Sequence, residues 1–347
     1  MNVFEEDLDR IAQNIATLSF TDKTFFITGS TGLVGSILVK ALCWANEHYV
    51  LNNHIIAQLR NPAKGDQVFA GYAGIAYCVG DIRDPIQWDG EVDYIIHAAS
   101  ETKSKNMVEH PVETLWTTLS GSKNVLDFAK EKYVAKVIYL SSMEAFGSAD
   151  FDGRSTEGML GTIDLTKPRS CYPESKRMVE NMCACYHTEY DVPVSIVRLA
   201  QTFGAGVSAD DTRVFAQFAR SAMQGEDIVL HTQGTSWGNY VYTADAAAAI
   251  FTVLKKGNNS ECYTVANEST SMQIRDMAQL VASEIANGKI HVVIDIPEGA
   301  DFGYAADTKL RLDASKMCGL GWTPQVGLAE MYRRMMKAWG AYTEDGT

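Results

Sequence analysis

The spacing of apolar residues changes along the chain from a helical pattern to short strand-like runs. An amphipathic helix is predicted over residues 3–18, where apolar side chains recur three or four positions apart (Phe4, Leu8, Ile11, Ile15 and Leu18). Five runs of strand-forming residues follow, with helical stretches between them: 24–28, 54–59, 75–82, 92–100 and 136–140. Because strand and helix alternate, we expect a parallel, doubly wound α/β sheet that binds ligands at the carboxyl ends of its strands.

The composition is that of a globular protein with room for one large α/β domain and a smaller one. The chain has 347 residues, 46% of them hydrophobic, and no apolar run reaches membrane-spanning length. Its formal net charge of −13 argues against nucleic acid or an anionic membrane as a partner. Acidic residues crowd the first ten positions, so no secretory signal is visible. The seven scattered cysteines have no metal-binding spacing, which predicts free thiols, no bound metal and a cytoplasmic location.

A glycine-rich segment joins the first predicted strand to the helix after it. Gly29, Gly32 and Gly35 recur at a spacing of three. Glycines let the backbone approach a pyrophosphate closely, and the N–H groups at a helix start supply donors and a positive dipole end. The segment therefore predicts a dinucleotide site, although a plain tight turn before a surface helix would have the same letters.

The ends of the next strands bear on which dinucleotide binds. A carboxylate after the second strand usually binds the ribose 2′-hydroxyl of NAD, whereas an arginine can receive the 2′-phosphate of NADP. That carboxylate is absent. Arg60 leaves NADP open as the cofactor, but a solvated arginine without a ligand is just as common at the end of a strand. Asp81 could approach the adenine. The small residues after His97 let backbone pass close to a flat ligand, and His97 itself is more typical of a structural histidine than of a base.

Tyr172 and Lys176 lie four residues apart at the start of a predicted helix over 173–190, so their side chains share one face. A neighbouring ammonium group can lower the pKa of a tyrosine from about 10, which would provide a phenolate as general base near neutral pH. Ser142, at the end of the fifth strand, could share the proton of the same substrate hydroxyl. Such a pair alone is often a surface coincidence, but chance is a poor explanation after a glycine loop and a strand-end serine.

These segments together resemble the extended short-chain dehydrogenase/reductases that modify nucleotide sugars, the NAD-dependent epimerase/dehydratase family. The matching segments are residues 28–35, 80–82, 97–99, 140–147, 172–176, 198–204, 240–245, 312–316 and 320–324. The resemblance implies a Rossmann-type sheet of about seven strands up to Leu199, with a smaller α/β C-terminal substrate domain. It predicts a dinucleotide-binding domain of residues 1–200 and about 238–262, including an apolar helical stretch near 240–256. Residues from about 201 to 237 and from 263 to 347 would bind the substrate.

The resemblance also implies the roles of individual residues. The dinucleotide would contact the glycine loop, the strand ends and the catalytic pair: Gly29, Thr31, Gly32, Leu33, Val34, Gly35, Arg60, Asp81, Ile82, Ala98, Ala99, Tyr172 and Lys176. The nucleotide sugar would contact Ser100, Met143, Gln201, Arg213 and Arg311. Catalysis would fall to Ser142, Glu144, Tyr172 and Lys176. Helices near 111–132 and 173–190 would form the interface of a homodimer.

Three positions depart from the family pattern. Thr118 replaces the asparagine of a usual Asn-x-x-Gly motif. Gly238 and Asn239 stand where many members carry Arg-Asp and use the arginine on the diphosphate. Either Arg213 and Arg311 take over that charge, or the substrate is not a typical nucleotide diphosphate sugar.

The implied reaction is transient oxidation of the sugar C4 hydroxyl by NAD(P), then epimerisation or elimination from the 4-keto intermediate. Glu144 could remove an acidified proton at C3 or C5, or it could orient Tyr172 or Ser142. A nucleotide-sugar decarboxylase and an NADPH-dependent 4-keto-sugar reductase are the alternative enzymes. The alternative outside catalysis is a dinucleotide sensor, and the retained serine, tyrosine and lysine argue against it.

Overall fold

The computed structural model describes residues 1–102, 104–149, 151, 153–296 and 308–340. Strands are numbered in chain order: β1 Thr24–Thr28, β2 His54–Leu59, β3 Ile75–Val79, β4 Tyr94–His97, β5 Lys136–Ser142, β6 Val194–Leu199, β7 Gln201–Phe203, β8 Ile228–Leu230, β9 Trp237–Tyr242, β10 Cys262–Val265, β11 Asn267–Gln273 and β12 Val292–Ile294. The α-helices are α1 Val3–Thr17, α2 Leu33–Tyr49, α3 Pro62–Val68, α4 Ser104–Glu109, α5 Pro111–Lys132, α6 Cys171–Tyr190, α7 Val214–Gln224, α8 Thr243–Lys256, α9 Ile274–Leu280, α10 Ser315–Cys318 and α11 Leu328–Ala338. Within the described residues, no helix is long and apolar enough to cross a bilayer.

A seven-stranded parallel sheet, in the order β10-β6-β5-β4-β1-β2-β3, confirms the predicted Rossmann-type fold. The expectation that about seven strands precede Leu199 was wrong, because only six of them do. The chain leaves the sheet after β6, and α8 then carries it back, so that β10 pairs with β6 as an edge strand. The alternating pattern predicts that a strand exists but not which sheet it joins.

The predicted helix at the start of the chain is confirmed as α1. Asn2 accepts hydrogen bonds from the N–H groups of Phe4 and Glu5, and the Glu5 carboxylate accepts one from Asn2 N–H. Such a capping box is worth about 1 kcal/mol. Its apolar stripe is buried and packs against α2 and α8, outside the sheet.

Two smaller sheets lie beyond the large one. In the first, β9 pairs in parallel with β7 and antiparallel with β11; in the second, β8 pairs in parallel with β12. The stretch predicted as a helix near 240–256 therefore begins inside β9, and the helix starts at Thr243. The buried face of α8 packs on α1, α2 and the large sheet.

The first helix and the last described helix meet at a buried charge network. Arg334 on α11 lies 2.9 Å from the carboxylate of Asp7 on α1, and its Nε donates to the hydroxyl of Tyr242 at 3.1 Å. The Tyr242 hydroxyl in turn donates to Asp7. Burial raises the pKa of Asp7, while the bonds from Tyr242 and the charge of Arg334 oppose that rise. This network fastens α11 to α1.

The order of the large sheet fixes where a ligand can bind. Strand β1 lies between β2 and β4, so the connections that leave β1 and β4 diverge to opposite faces. In doubly wound folds a ligand binds beyond the carboxyl ends of the strands at such a topological switch point.

Candidate active site

The turn after β1 presses against the end of β4. Gly29 has φ +61°, and a β-carbon there would lie 2.7 Å from backbone atoms of Ala98 and Ala99. Gly35, in the first turn of α2, leaves no more room: its β-carbon would lie 2.3 Å from the carbonyl oxygen of Gly29. These two positions therefore require glycine because the protein's own backbone lies so close, and the predicted approach to a pyrophosphate stays a prediction.

The start of α2 is suited to an anion. Gly32 is its N-cap and has no side chain to bond the first N–H groups, and the first turn carries no acidic residue. A helix start of this kind binds phosphate groups through backbone N–H donors and the helix dipole. The chain between β1 and α2 thus fits the pyrophosphate of a dinucleotide.

A hydrogen-bonded chain of side chains fixes the end of β4. Nδ1 of His97 lies 2.7 Å from the Thr28 hydroxyl, and Nε2 lies 3.0 Å from the hydroxyl of Ser122 on α5. The Thr28 oxygen also accepts the N–H of Ala99 at 3.1 Å. Burial, helped by the charge of Lys176, lowers the pKa of His97 to about 3, so the ring is neutral. His97 is a structural residue, as its sequence context suggested.

Beyond the end of β3, sequence reasoning missed Arg83 as the partner of Asp81. Its guanidinium makes two hydrogen bonds of 3.0 and 2.9 Å to the carboxylate of Asp81 and holds the pKa of Asp81 below its usual value. Arg60, with 74% of its side chain exposed, approaches the same carboxylate at 3.9 Å. Ile82 is buried, and its side chain lies where a β-carbon of Gly121 would point. Asp81 and Ile82 follow β3 rather than end it, since β3 stops at Val79.

The predicted catalytic side chains come together. Helix α6 begins at Cys171, which places Tyr172 and Lys176 one turn apart on a buried face. Ser142, the last residue of β5, accepts the N–H of Glu144 at 3.2 Å, and its side chain favours ionisation of the Tyr172 phenol by lowering its pKa. Nζ of Lys176 donates to the carbonyl oxygen of Leu140 at 2.9 Å and lies 5.6 Å from the centroid of the Tyr172 ring.

Burial acts in opposite directions on these two neighbours. It raises the pKa of Tyr172, and the Glu144 carboxylate adds to the rise, while Ser142 and Arg169 oppose it. Burial lowers the pKa of Lys176 to about 8, against the charges of Glu180 and Glu144. The sequence predicted that Lys176, with help from the charge of the nicotinamide, lowers the pKa of Tyr172, and in the protein by itself Lys176 is not among the groups that lower it. Its ammonium donates to Leu140, and desolvation of the phenolate dominates.

Sequence reasoning also missed Arg169, which is the ion-pair partner of Glu144. Nη2 of Arg169 lies 3.0 Å from Oε1 of Glu144, and the two side chains are 33% and 38% exposed. The guanidinium carbon lies 5.7 Å from the centroid of the Tyr172 ring. The only signal in the sequence was a basic residue three positions before Tyr172, and nothing there connects it with Glu144.

The proposed substrate residues differ in their surroundings. The side-chain oxygen of Gln201 is buried without a hydrogen-bond partner among the described residues, so it has an unused acceptor. Arg213 is already paired with Asp211 through Nε and Nη2, at 3.0 and 2.6 Å. The guanidinium of Arg311 lies 5.4 Å from the Trp237 ring centroid. Two further candidates lie at strand ends, Met143 directly after β5 and Ser100 three residues after β4.

The sequence profile of the NAD dependent epimerase/dehydratase family matches residues 25–267. The chain belongs to this family. It is 29% identical over 309 residues to UDP-glucuronic acid decarboxylase 1 of Danio rerio, which covers 89% of this chain and 70% of that protein.

Solved structures of epimerases and dehydratases share the fold. The dTDP-glucose 4,6-dehydratase of Bacillus anthracis in complex with NAD superposes with a TM-score of 0.72 at 19% identity, over 92% of this chain and 96% of that one. The UDP-glucose 4-epimerase of Thermus thermophilus in complex with NAD gives a TM-score of 0.72 at 21% identity, over 92% and 100%.

Within this epimerase/dehydratase family, the departure at Gly238 and Asn239 has a structural explanation. A β-carbon at Gly238 would lie 2.2 Å from the hydroxyl of Tyr240, which fills the space in which a longer side chain would begin. Asn239 donates to the carbonyl of Leu310 at 2.8 Å and accepts the N–H of Leu312 at 3.0 Å. Asn239 thus fastens the backbone on both sides of Arg311.

The departure at Thr118 is confined to one helix. Thr118 is buried in α5 and donates to the carbonyl oxygen of Thr114 at 2.9 Å. Its hydroxyl is therefore satisfied within its own helix, and the described contacts give it no part in the site.

Proposed function

We propose that this protein is an NAD-dependent enzyme that transiently oxidises the C4 hydroxyl of a nucleotide sugar and rearranges the 4-keto product. The observation that carries this proposal is the cluster of Ser142, Tyr172 and Lys176 at the carboxyl end of β5, on the same edge of the sheet as the glycine loop. Because all three side chains are retained and assembled, we do not favour a sensor without catalytic activity.

Each of these residues has a distinct task. Tyr172 would take the proton of the C4 hydroxyl, and Ser142 would hold the same oxygen by a hydrogen bond. Lys176 would bind the hydroxyls of the nicotinamide ribose and contribute positive charge beside the phenol. When bound, oxidised nicotinamide supplies a further positive charge and accepts a hydride from C4, which it later returns. The low exposure of Tyr172 and Lys176 keeps water from the reacting atoms.

We assign NAD rather than NADP as the cofactor. The side chain of Arg60 is mostly exposed and already approaches the carboxylate of Asp81. The negative charge of Asp81 would repel a 2′-phosphate bound beside Arg60. The solved dehydratase and epimerase structures named above hold NAD. The dinucleotide released from denatured protein would be identified by mass spectrometry. Protein that carries no dinucleotide and consumes NADPH with a keto sugar would favour the reductase instead.

The pairing of Glu144 bears on the fate of the 4-keto sugar. Protonation of a carboxylate weakens its charge-assisted hydrogen bond to an arginine, so taking a proton from carbon would cost Glu144 part of its interaction with Arg169. This favours fates that need no carboxylate base. One is return of hydride to the other face of the ketone, which gives the C4 epimer.

Decarboxylation is the second candidate, and it too needs no carboxylate base. If the sugar carries a carboxylate at C6, oxidation at C4 makes it a β-keto acid. It then loses carbon dioxide and takes a proton at C5 before hydride returns to C4. The similarity to UDP-glucuronic acid decarboxylase 1 of Danio rerio supports this second candidate.

The substrate residues and the domain division are part of the same proposal. Arg311 is the candidate for the diphosphate, because Arg213 is paired with Asp211. Gln201 offers its unused acceptor to the sugar nucleotide. We retain the discontinuous division of the chain, which the packing of α8 on α1 and α2 supports. All seven cysteines are free thiols, which supports a location in the reducing cytoplasm.

The test is to incubate the protein with UDP-, dTDP-, CDP- and GDP-sugars, including UDP-glucuronic acid, and to follow the products by NMR in D2O. Carbon dioxide with a pentose product indicates decarboxylation, and a C4 epimer without deuterium indicates epimerisation. Deuterium at C3 or at C5 of a hexose would instead assign Glu144 the role of base.

Tyr172→Phe should abolish every one of these products, and a variant with full turnover would overturn the mechanism. Tyr186→Phe is the matched control, because Tyr186 lies on the same helix and bonds Asp127 on α5.

A further inference from the structure

The ion pair between Glu144 and Arg169 lies beside Tyr172, and its effect on Tyr172 is not part of the proposal above. Within the described residues, the guanidinium of Arg169 makes one hydrogen bond, to Glu144, and one ring contact, to Tyr172. Arg169 belongs to the short turn that precedes α6, whereas Glu144 belongs to the turn that follows β5. The pair therefore joins the two segments that deliver Ser142 and Tyr172.

Tyr172 lies beside a pair of opposite charges. A carboxylate near a phenol opposes its ionisation, and a cation favours it. Glu144 acts on Tyr172 in the first sense and Arg169 in the second. Since the two charges are bound to each other at 3.0 Å, the loss of one leaves the other uncompensated beside the phenol.

We propose that Arg169 is a positioning residue for Tyr172: it fixes the Glu144 carboxylate and offsets the charge that this carboxylate directs at the phenol oxygen. The inference rests on the proposed function, in which the Tyr172 phenolate is the base. It explains how the chain keeps an acidic residue two positions after Ser142 without suppressing ionisation of Tyr172.

Other charged and titratable groups face Tyr172 or its lysine partner from each element packed there. They are Tyr139 on β5, Cys171, Lys176 and Glu180 on α6, and His97 on β4 behind Lys176. Lys176 loses its charge as the pH rises through about 8, whereas an arginine stays charged. Above that pH, Arg169 is the cation from the protein that still acts on the phenol.

The test compares Arg169→Gln, Arg169→Lys, Glu144→Gln and the double variant in NAD-loaded protein. The first readout is the pH midpoint of Tyr172 ionisation, from phenolate absorbance relative to the same variant with Tyr172→Phe. The second readout is the acidic limb of kcat/KM.

Arg169→Gln should move the pH midpoint of Tyr172 ionisation and the acidic limb of kcat/KM upward by about one pH unit. Arg169→Lys should recover most of that shift. In the Glu144→Gln background, Arg169→Gln should shift them by less than about 0.3 unit, because the charge to be offset is gone. Equal shifts with and without Glu144 would overturn the proposal, since a purely structural role predicts them.

A matched ion pair serves as control. Arg154 lies 3.0 Å from Glu268, and the two side chains are 34% and 39% exposed, but this pair does not contact Tyr172. Arg154→Gln should move neither readout.

The outcomes separate this inference from the proposed function. If the wild-type protein converts no nucleotide sugar, the function fails, while the absorbance titration still tests Arg169. If the wild type turns over and Arg169→Gln moves neither readout, Arg169 has no such role and the function stands.

Discussion

At the scale of single residues, the site depends on how burial treats an acid and a base that lie side by side. Loss of water makes Tyr172 harder to ionise and makes Lys176 easier to deprotonate. Both shifts favour the neutral pair, which is the unproductive one. Catalysis therefore requires positive charge from elsewhere, and Arg169 together with the oxidised cofactor are the sources that we propose.

Lys176 gives a prediction for pH dependence. Its pKa is lowered to about 8, so the ammonium is present below that pH and is lost as the pH rises through it. We expect kcat/KM to fall about tenfold per pH unit above this point, if the ammonium is required. Lys176→Arg, measured as a pH–rate profile, should shift that limb to above about pH 10, because a guanidinium stays charged. A wild-type profile that stays flat from pH 7 to pH 10 would contradict the requirement.

The lowered pKa of Lys176 also makes the stability of the fold depend on pH, in the direction opposite to activity. Between about pH 8 and the unfolded value of 10.5, the unfolded chain binds a proton at Lys176 that the folded chain does not. The contribution of Lys176 to the free energy of unfolding therefore rises with pH between these two values. Below about pH 8 the folded protein holds the charged ammonium in a buried site, which is destabilising. Activity and stability thus respond oppositely to alkali at this one position.

At the scale of elements, the turn after β1 lies in close contact with the end of β4. Gly29→Ala should destabilise the fold by about 3 kcal/mol, from left-handed strain plus a contact of 2.7 Å with the backbone of Ala98. Denaturant unfolding measures the loss, and binding of NAD should weaken with it.

Gly158→Ala is the control for Gly29→Ala. Gly158 has no atom within 4 Å of an added β-carbon, so its variant should stay within about 0.5 kcal/mol of the wild type. Equal stability of the two variants would show that the turn can move away from β4.

The elements also show what sequence could and could not predict. The strands around the switch point, the glycine loop and the trio of Ser142, Tyr172 and Lys176 are encoded in short segments, so local pattern was enough. Arg83 and Arg169 were missed, and so were the contacts by which Asn239 holds the backbone beside Arg311, because each acts on a side chain or backbone that only folding brings near. Strand β10 was missed for the same reason, since its partner β6 lies more than sixty residues earlier in the chain.

At the scale of the whole molecule, the network of Asp7, Tyr242 and Arg334 ties the first helix to the last described one. Arg334→Met should cost on the order of 3 kcal/mol, because Asp7 would remain buried without its cation. Arg333→Met, one residue earlier, should change stability by less than about 0.5 kcal/mol, since Arg333 makes only a half-exposed contact of 3.9 Å with Glu330. Thermal unfolding compares the two, and similar losses would refute a special role for the network.

A predicted homodimer belongs to the same scale. Helices α5 and α6 expose apolar side chains at Val112, Trp116 and Met178, and Trp116 is 62% exposed. Exposed apolar side chains on these two helices support the interface that we propose. Light scattering should give twice the mass of the chain for the wild type and the mass of one chain for Trp116→Glu.

Val229→Lys, on the exposed side of β8, is the control and should remain dimeric. A monomeric wild type would remove the proposed interface, and so would a Trp116→Glu variant that stays dimeric.

The late position of β10 has a consequence for biosynthesis. During translation, β6 leaves the ribosome well before Cys262, and until β10 arrives one side of β6 presents unpaired N–H and C=O groups. The nascent chain therefore exposes an open sheet edge while residues 200–261 are being made. An edge of this kind can pair with a neighbouring nascent chain, so production of this protein should depend on slow elongation or on a chaperone that covers the edge.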